Sequence, residues 1–510
     1  MAAPTGLPRV FTIAADQDFL SVLAQAVLNG FPGPTPPAPE RLAGTTILVP
    51  NRRSARRLGD LIYAAARAAG AGGLLFLPRI RPIGDIDEDM VTATEPGDLP
   101  PALSDTARLF LLMRIIARWA ADNAHHAIAR DLGADGGQSL ALAQSLADLF
   151  DQAEEDGADL SRLDEFYDAD LSGHRLASLG LIDLIRRDLP AEMLKLGVMS
   201  ARQRRNALIR LEAERLTKSP PAGPVIAAGS TGTFASTRDL LRAIAGLPQG
   251  AVVLPGLDQG LDDESWQVVG PQHPQFALSN LVSFLGLSRA DVQRLGPEQG
   301  PRARLTSELM RSPETADRWR AALAGSGPVL GEAVRGMRLV TTRDRHREAR
   351  TIALILRRAV NEPGRTAALI TPDRDLARRV KEEMKRWHIT LDDTAGEPLI
   401  RFGAAHLLAL LMRLVTAGVT AADLVALMHH PLADLGLGRE AFLTEARRLE
   451  RAVLRPVGAD DGIDGISRAV TRARLLAAGQ ELRSRFIRTM NEADWQALDR
   501  FWQTLAAVLH

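Results

Sequence analysis

The chain lacks cysteine entirely, and it is poor in aromatic residues and in lysine. Without cysteine, these 510 residues hold no disulfide, no thiolate zinc site and no cysteine-ligated iron–sulfur cluster. Aromatic residues make up 4% of the chain, too few for an extended platform on which single-stranded bases stack. Arginine supplies most of the positive charge, because lysine occurs only at Lys195, Lys218, Lys381 and Lys385. Arginine suits bidentate phosphate contacts, although GC-rich coding produces the same bias.

Charge balance and hydropathy exclude further classes of protein. The 62 basic and 62 acidic residues cancel, so any nucleic-acid site must be a local patch rather than a global field. The longest apolar runs, such as Leu407–Leu411, fall far below the length of a membrane span. The N-terminus also lacks the pattern of a signal peptide. Together these features predict a cytoplasmic protein with no membrane partner.

Several motifs that carry chemistry are missing. No phosphate loop of the form Gly-x-x-x-x-Gly-Lys-Ser/Thr occurs, and residues 14–18, where a nucleotide-driven motor would have one, read Ala-Ala-Asp-Gln-Asp. The Gly-x-Ser-x-Gly elbow of serine hydrolases is absent as well, so no catalytic residue is assigned. The acidic clusters Asp85–Asp89 and Asp258–Glu264 lack a neighbouring histidine and are interpreted as solvated loops. No metal site is predicted.

Residues 45–58 join an apolar run of strand length to a strongly basic helix, with Pro50 between them. Parallel sheets place ligand sites at the carboxyl ends of strands, where guanidinium groups and helix N-terminal amides can grip a phosphate backbone. A similar segment, Thr371–Arg374, precedes another basic helix. Exposed charge on a helix is commonly only a solvated face, but two such helices directly after strand–proline turns favour DNA contact. The predicted DNA-binding residues are Asn51, Arg52, Arg53 and Arg374.

A loop rich in glycine and hydroxyl groups follows the predicted strand Val225–Ala228. Backbone amides of such a loop can face an anion, although the same composition also makes a simple strand-to-helix turn. No lysine follows that could reach a β- or γ-phosphate. The residues of this possible phosphate-contacting loop are Gly229, Ser230, Thr231 and Gly232.

Alternating strand and helix patterns predict an α/β fold with a parallel sheet. The expected strands are Arg9–Ile13, Ile47–Val49, Leu74–Leu77, Val225–Ala228 and Ala251–Leu254 in a first module, and Met337–Thr341 and Ala367–Ile370 in a second. Residues 104–217 and those after 402 have helical periodicity. The predicted divisions are 1–97 and 222–295 for the first module, 98–221 for a helical insertion, 296–332 for a linker with one helix, 333–400 for the start of the second module and 401–510 for another helical insertion.

Several segments, in order along nearly the whole chain, resemble the AddB subunit of the bacterial AddAB helicase–nuclease family in its alphaproteobacterial form. The matching segments are Thr46–Ala55, Leu77–Asp89, Ala227–Thr233, Val253–Asp258, His273–Gln275, Ala368–Val380 and Asp392–Gly396. The resemblance implies a superfamily-one helicase-like scaffold of two RecA-like parallel-sheet modules with large helical insertions. It also implies that Asn51–Arg53 and Thr371–Arg374 are DNA-contacting segments.

In that family the subunit works as a heterodimer with an AddA-type helicase–nuclease subunit on single- and double-stranded DNA ends. The family's nuclease domain, with its iron–sulfur cluster and Mg²⁺, lies farther along a longer chain and has no match here. We therefore expect the N-terminal half only, without a cofactor in this span, and ATP binding is in doubt. The sequence predicts a non-catalytic, DNA-contacting part of a double-strand break repair complex. The alternatives are an ATP-binding helicase-type enzyme that uses the Gly229–Thr233 loop, and a truncated product without activity.

Overall fold

The computed structural model describes residues 8–33, 35, 42–69, 76–83, 99–125, 129–130, 136–160, 162, 173–324, 327–479 and 485–509. The chain divides into two compact units, Met1–Arg338 and Leu339–His510. Within the described ranges, every strand belongs to the first unit. These strands are β1 (Val10–Ile13), β2 (Thr46–Val49), β3 (Arg79–Pro82), β4 (Ala102–Leu103), β5 (Met199–Ser200), β6 (Val225–Ala228), β7 (Gly250–Pro255) and β8 (Gln293–Arg294).

The first unit is built on a six-stranded sheet in the order β3-β2-β6-β7-β1-β8, with every pair parallel. In register, Thr46 lies opposite Val225, which lies opposite Gly250. All four residues of β6 are buried, as expected for a central parallel strand covered on both faces. This sheet confirms the predicted α/β class, and it aligns the carboxyl ends of all six strands along one edge.

Alternate residues of the strands face two separate cores. Val252 and Leu254 pack with one set of helices, and Val253 between them packs with the other, which is the period of two that a strand imposes. The helices of the first unit are α1 (Phe19–Leu28), α2 (Arg52–Ala68), α3 (Asp105–Asp122), α4 (Gly136–Asp156), α5 (Gly173–Lys195), α6 (Ala201–Lys218), α7 (Ala235–Ala245), α8 (Asp263–Gln267), α9 (Phe276–Phe284), α10 (Pro301–Leu309), α11 (Arg318–Leu323) and α12 (Gly327–Ala333). Helices α1 and α2 cover one face, while α6, α7 and α9 cover the other.

Within the described residues of 104–217 the predicted helical character is confirmed, apart from the two-residue strand β5. Helices α3, α4 and α5 share their own apolar core, which includes Leu112, Ile115 and Ile185. Ser104 caps α3 as expected, with its Oγ accepting from the amide of Ala107 at 3.2 Å. The short parallel pair β4–β5 joins the two ends of this helical region.

Two details of the first unit differ from the sequence prediction. The segment 296–332 forms three helices, α10 to α12, rather than one, because its apolar positions, such as Ala303, are buried against neighbouring elements. The strand expected at Leu74–Leu77 falls partly outside the described residues, and β3 forms just after it at Arg79–Pro82. Asp85–Asp89 also lies outside them.

The described residues of the second unit form helices joined by loops, without a strand. The strands predicted at Met337–Thr341 and Ala367–Ile370 are wrong, since neither segment forms a ladder. Apolar side chains in them stand in solvent: Leu339 is 92% exposed and Ile370 is 94% exposed. The helices are α13 (Arg345–Asn361), α14 (Arg374–Lys385), α15 (Gly403–Ala417), α16 (Ala421–His429), α17 (Arg439–Leu449), α18 (Ile463–Ala478), α19 (Arg485–Arg488) and α20 (Glu492–Leu509).

Candidate nucleic-acid interface

The sheet brings together the two sequence-predicted sites of the first unit. Strands β2 and β6 are hydrogen-bonded neighbours, so the loop after β2 and the loop after β6 emerge side by side at the carboxyl edge. Pro50 and Gly229 are in close contact, since a Cβ built on Gly229 would lie 3.3 Å from the Pro50 ring. Asn51–Arg53 and Gly229–Gly232 therefore form one continuous surface.

Asn51 has a structural role at this edge. It is the N-cap of α2, and its Oδ1 accepts from the amide of Ser54 at 2.8 Å. This bond satisfies one of the amides that a helix start leaves without a partner. The side-chain oxygen of Asn51 is thus used within the fold, while its amide NH₂ can still donate.

Arg52 and Arg53 are exposed residues in the first turn of α2, and Arg56 and Arg57 are exposed one turn later. The opposite face of the helix is buried at Leu58 and Ile62, which anchors it to the sheet. The first turn contains no acidic residue, although the partial positive charge of a helix N-terminus favours anions and disfavours cations. This local conflict is the kind found at functional sites, and a bound phosphate would relieve it.

The Gly229–Thr233 loop offers backbone donors beside these arginines. Gly229 and Gly232 have φ values of +84° and +64°, a conformation that glycine adopts without strain. The amides of Gly229 and Gly232 bond to Val253 O and Ser230 Oγ, whereas those of Ser230 and Thr231 have no acceptor within the described residues. Helix α7 follows, and its N-cap provides no side-chain hydrogen bond. Several amides at this point can therefore bind an anion.

Sequence reasoning missed one cation near this loop. Arg238 lies in the first turns of α7, and its guanidinium donates to the carbonyl of Thr233 at 3.3 Å. It also lies over the ring of Phe284. Arg238 is far from Asn51–Arg53 in the sequence, so the sequence does not show that the two segments belong to the same edge of the sheet. They do so because β6 pairs with β2.

Arg374 of the second unit is held in an internal ion pair. Its guanidinium donates to both carboxylate oxygens of Asp393, at 3.1 and 2.9 Å, and to the carbonyl of Gly396 at 3.0 Å. The hydrogen bond from Arg374 lowers the pKa of Asp393 to about 2. This bidentate pairing uses the donors that a phosphate would need. It also gives the Asp392–Gly396 segment a structural role that its sequence does not reveal.

We expect Asp393→Asn to make single-strand binding more salt-dependent if Arg374 contacts DNA. Loss of the carboxylate releases the guanidinium and should steepen the log–log salt slope by about one unit. Fluorescence anisotropy with an oligo-dT strand measures the slope. Asp375→Asn is the matched control. Asp375 follows Arg374 directly and carries the same charge as Asp393, but it pairs with Arg378 and not with Arg374. Equal slopes in wild type and both variants would exclude Arg374 from the DNA site.

The acidic cluster after β7 is neutralised within the fold. Asp258 Oδ1 accepts from the amides of Gly260 and Leu261, and Asp262 caps α8. Arg311 binds Asp262, Arg289 binds Asp263, and Arg318 binds Asp262 and Glu264. In the part of the chain that the structure describes, no three histidine, aspartate or glutamate side chains converge as a metal site requires.

The carboxylates of the loop after β1 also have structural roles. Asp18 caps α1, and a hydrogen bond from the Ser21 hydroxyl is the main cause of a lowered pKa for its carboxylate. Asp16 Oδ2 accepts from the amide of Gly300, just before α10, at 2.8 Å. A carboxylate therefore occupies the helix start where an anionic ligand would otherwise bind.

The described helices include none that is both long enough and apolar enough to cross a bilayer. The geometry that remains as a candidate site is the carboxyl edge of β2 and β6, with exposed arginines on one side and unpartnered amides on the other. No protein-family model matches the chain, and no curated protein matches it significantly.

Proposed function

We propose that this chain is a non-catalytic, DNA-contacting, helicase-like part of a bacterial double-strand break repair complex, as its resemblance to the AddB family implies. The six-stranded sheet is then the first of two RecA-like modules, and α13 and α14 begin the second. Its partners are DNA ends and an AddA-type subunit in the cytoplasm. The chain holds a strand by its phosphates, without reading bases through these contacts.

The observation that supports this proposal is the juxtaposition of the α2 arginines and the Gly229–Thr233 loop. Guanidinium groups and backbone amides both prefer phosphate oxygens, and here they meet at the carboxyl edge of a parallel sheet, the usual position of a ligand. A polynucleotide presents repeated phosphates. Binding them does not require the lysine that a nucleotide-hydrolysing site uses to reach the β- and γ-phosphates. The Asp16 carboxylate, by contrast, disfavours a triphosphate after β1, farther along the same edge of the sheet.

We expect the double variant Arg52→Ala/Arg53→Ala to bind an oligo-dT strand more weakly, with a log–log salt slope smaller by about one to two units. Fluorescence anisotropy between 50 and about 300 mM salt measures both quantities.

The matched control is Arg186→Ala/Arg187→Ala, which removes two adjacent exposed arginines from α5. Its slope should equal that of wild type, because α5 lies in the helical region rather than at the sheet edge. An unchanged slope in the Arg52/Arg53 variant would remove these residues from the DNA site. A fall in thermal stability of that variant would instead attribute the weaker binding to unfolding.

A second candidate function is a nucleotide-dependent enzyme that holds phosphates on the Gly229–Thr233 loop. The unpartnered amides of Ser230 and Thr231 favour it, and the absence of a following lysine opposes it. Isothermal titration with a non-hydrolysable ATP analogue separates the two functions. Micromolar binding that Arg52→Ala/Arg53→Ala does not weaken would favour the enzyme.

A further inference from the structure

An open depression of about 570 Å³ lies in the second unit, between the start of α15 and the end of α16. Its wall carries four basic side chains, which are Arg401, His406, His429 and His430. The two helices meet beside it, because a Cβ built on Gly403 would lie 3.7 Å from a methyl carbon of Leu432. Tertiary packing therefore gathers basic groups from two separate helices around one depression.

Helix α15 begins at this depression without a cap. Phe402, the residue before the helix, provides no side-chain hydrogen bond, and the first turn contains no acidic residue. The amides of Gly403–Ala405 have no acceptor among the described residues, whereas the next amide, that of His406, bonds to the carbonyl of Phe402 at 2.9 Å. A helix start of this kind offers free donors and a partial positive charge, and both favour an anion.

His430 adds a buried donor that reaches the same depression. The residue is 5% exposed, and its Nδ1 accepts from the amide of Leu432 at 3.2 Å, so the neutral ring carries its proton on Nε2. That Nε2 has no partner among the described residues, and it is not one of the polar atoms that the fold seals from solvent. Buried polar groups nearly always have a partner, so an unpartnered donor that stays accessible points to a ligand.

The charges around the depression also favour an anion. Arg401 and His406 are exposed and have no acidic partner in the part of the second unit that the structure describes. Glu450 touches the lining, where it accepts from His429 Nε2 at 2.9 Å. Two hydrogen bonds from Arg455, at 2.8 and 2.5 Å, compensate the charge of this carboxylate. The positive charge of Arg401 therefore faces the depression without a matching negative charge.

We propose that this depression, the α15 pocket, binds one phosphate group. The phosphate oxygens accept from the amides of Gly403–Ala405 and from His430 Nε2, while Arg401 and His406 supply positive charge. A phosphate suits the pocket better than a carboxylate, because its three terminal oxygens can accept from both helices at once. The pocket belongs to the second unit, apart from the DNA contacts proposed for the first, so either proposal can fail alone.

The test introduces an aspartate at the helix start. Ala404 is exposed at the second position of α15, so Ala404→Asp places a carboxylate where the phosphate binds. We expect its affinity for inorganic phosphate to fall at least about tenfold, since charge-assisted hydrogen bonds are lost and a like charge is added. Isothermal titration calorimetry of the full chain at constant ionic strength measures the affinity. An acidic residue in the first turn stabilises a helix, so unfolding does not explain such a loss.

Ala422→Asp is the matched control. Ala422 is likewise exposed at the second position of its helix, α16, but it does not line the α15 pocket, so this variant should bind phosphate as wild type does. Equal phosphate affinity in Ala404→Asp and Ala422→Asp would overturn the proposal. The absence of a binding signal when wild type is titrated with millimolar phosphate would overturn it too.

Two further variants test the side chains. Arg401→Ala removes one exposed charge and should weaken phosphate binding about two- to fivefold. His430→Phe keeps a buried ring but has no donor, and it should weaken binding about tenfold. Wild-type affinity in both variants would overturn the roles given to Arg401 and His430.

Competition with inorganic phosphate distinguishes two sources of the ligand. Thymidine 5′-monophosphate carries a phosphate monoester, whereas an oligo-dT strand with a 5′-hydroxyl carries only phosphodiesters. Competition by the strand, with a log–log salt slope smaller by about one unit in Ala404→Asp than in Ala422→Asp, would support the proposal with a DNA backbone as the source. Competition by the monophosphate alone would support it with a free or terminal phosphate. Failure of both to compete would overturn it.

Discussion

Replacing Gly232 by valine should destabilise the first unit strongly rather than remove anion binding alone. Gly232 has a φ of +64°. A Cβ built on it would lie 2.8 Å from Cδ1 of Leu281, a buried residue of α9. A β-branched residue in this conformation costs about 1–3 kcal/mol, and overpacking adds about 1–3 kcal/mol. We expect a total loss of roughly 2–6 kcal/mol in the free energy of unfolding.

Urea unfolding followed by circular dichroism measures the loss, with the transition of the first unit treated separately because a two-unit chain is not two-state. Gly286→Val separates the two causes. Gly286 has a φ of +71° but open space around its built Cβ, so this variant should lose only the conformational part. Equal losses in the two variants would show that the Leu281 contact is not tight. Gly232→Val is accordingly a poor probe of the loop as an anion site.

The second large effect is expected from Asp262→Ala. Asp262 caps α8 by accepting from the Ser265 amide at 2.9 Å, and it binds Arg311, whose side chain is 5% exposed. Removing the carboxylate loses a helix cap, about 1 kcal/mol, and leaves a buried guanidinium with only Glu308 as its acidic partner. Because the Asp262 side chain is 35% exposed and Arg311 keeps Glu308, breaking this pair should cost less than the roughly 3–5 kcal/mol of a fully buried pair. We expect a total loss of about 2–3 kcal/mol.

The neighbouring Asp263→Ala is the control for this prediction. Asp263 is 94% exposed and pairs with Arg289, and a surface pair of this kind contributes about 0–1 kcal/mol. Arg289 also keeps its bonds to the carbonyls of Asp258 and Leu261. Urea unfolding of both variants makes the comparison, and similar losses would contradict the assignment of a buried ion pair to Asp262.

The stabilisation from Asp262 should depend on pH. Burial acts to raise the pKa of Asp262, but hydrogen bonds from Arg311 and Ser265 outweigh it and hold the pKa well below its ordinary value of 3.8. A carboxylate with a lowered pKa in the folded state stabilises the fold above its unfolded pKa, and this contribution is lost as the pH falls below that value. The stability difference between wild type and Asp262→Ala should be complete at neutral pH and shrink in acid. A constant difference would exclude the charge as its cause.

Local patterns in the sequence identified the strands of the first unit well. The runs Val225–Ala228 and Ala251–Leu254 are apolar, of strand length and bounded by glycine or proline, and strands form at both places. The same kind of pattern at Met337–Thr341 and Ala367–Ile370 gave no strand. A strand needs a hydrogen-bonded neighbour, and a local pattern cannot show whether one is present. In the described residues of the second unit no ladder partner exists.

For charged residues too, some features could be predicted from the sequence and others depend on tertiary contacts. The basic start of α2 was evident from the sequence, and its exposure follows from the buried face opposite at Leu58 and Ile62. The pairing of Arg374 with Asp393 was not evident from the sequence, because it depends on how a loop folds back onto the start of α14.

The sequence by itself determined that this chain has an α/β unit, a basic helix after a strand and no phosphate loop, because apolar periodicity, helix caps and missing motifs are local properties. Tertiary structure decided which loops share the carboxyl edge and which charges are neutralised there. The parallel order β2-β6-β7-β1 joins segments from opposite ends of the first unit. Such long-range pairing depends on the balance of the whole fold, so the site emerges only when the sheet is assembled.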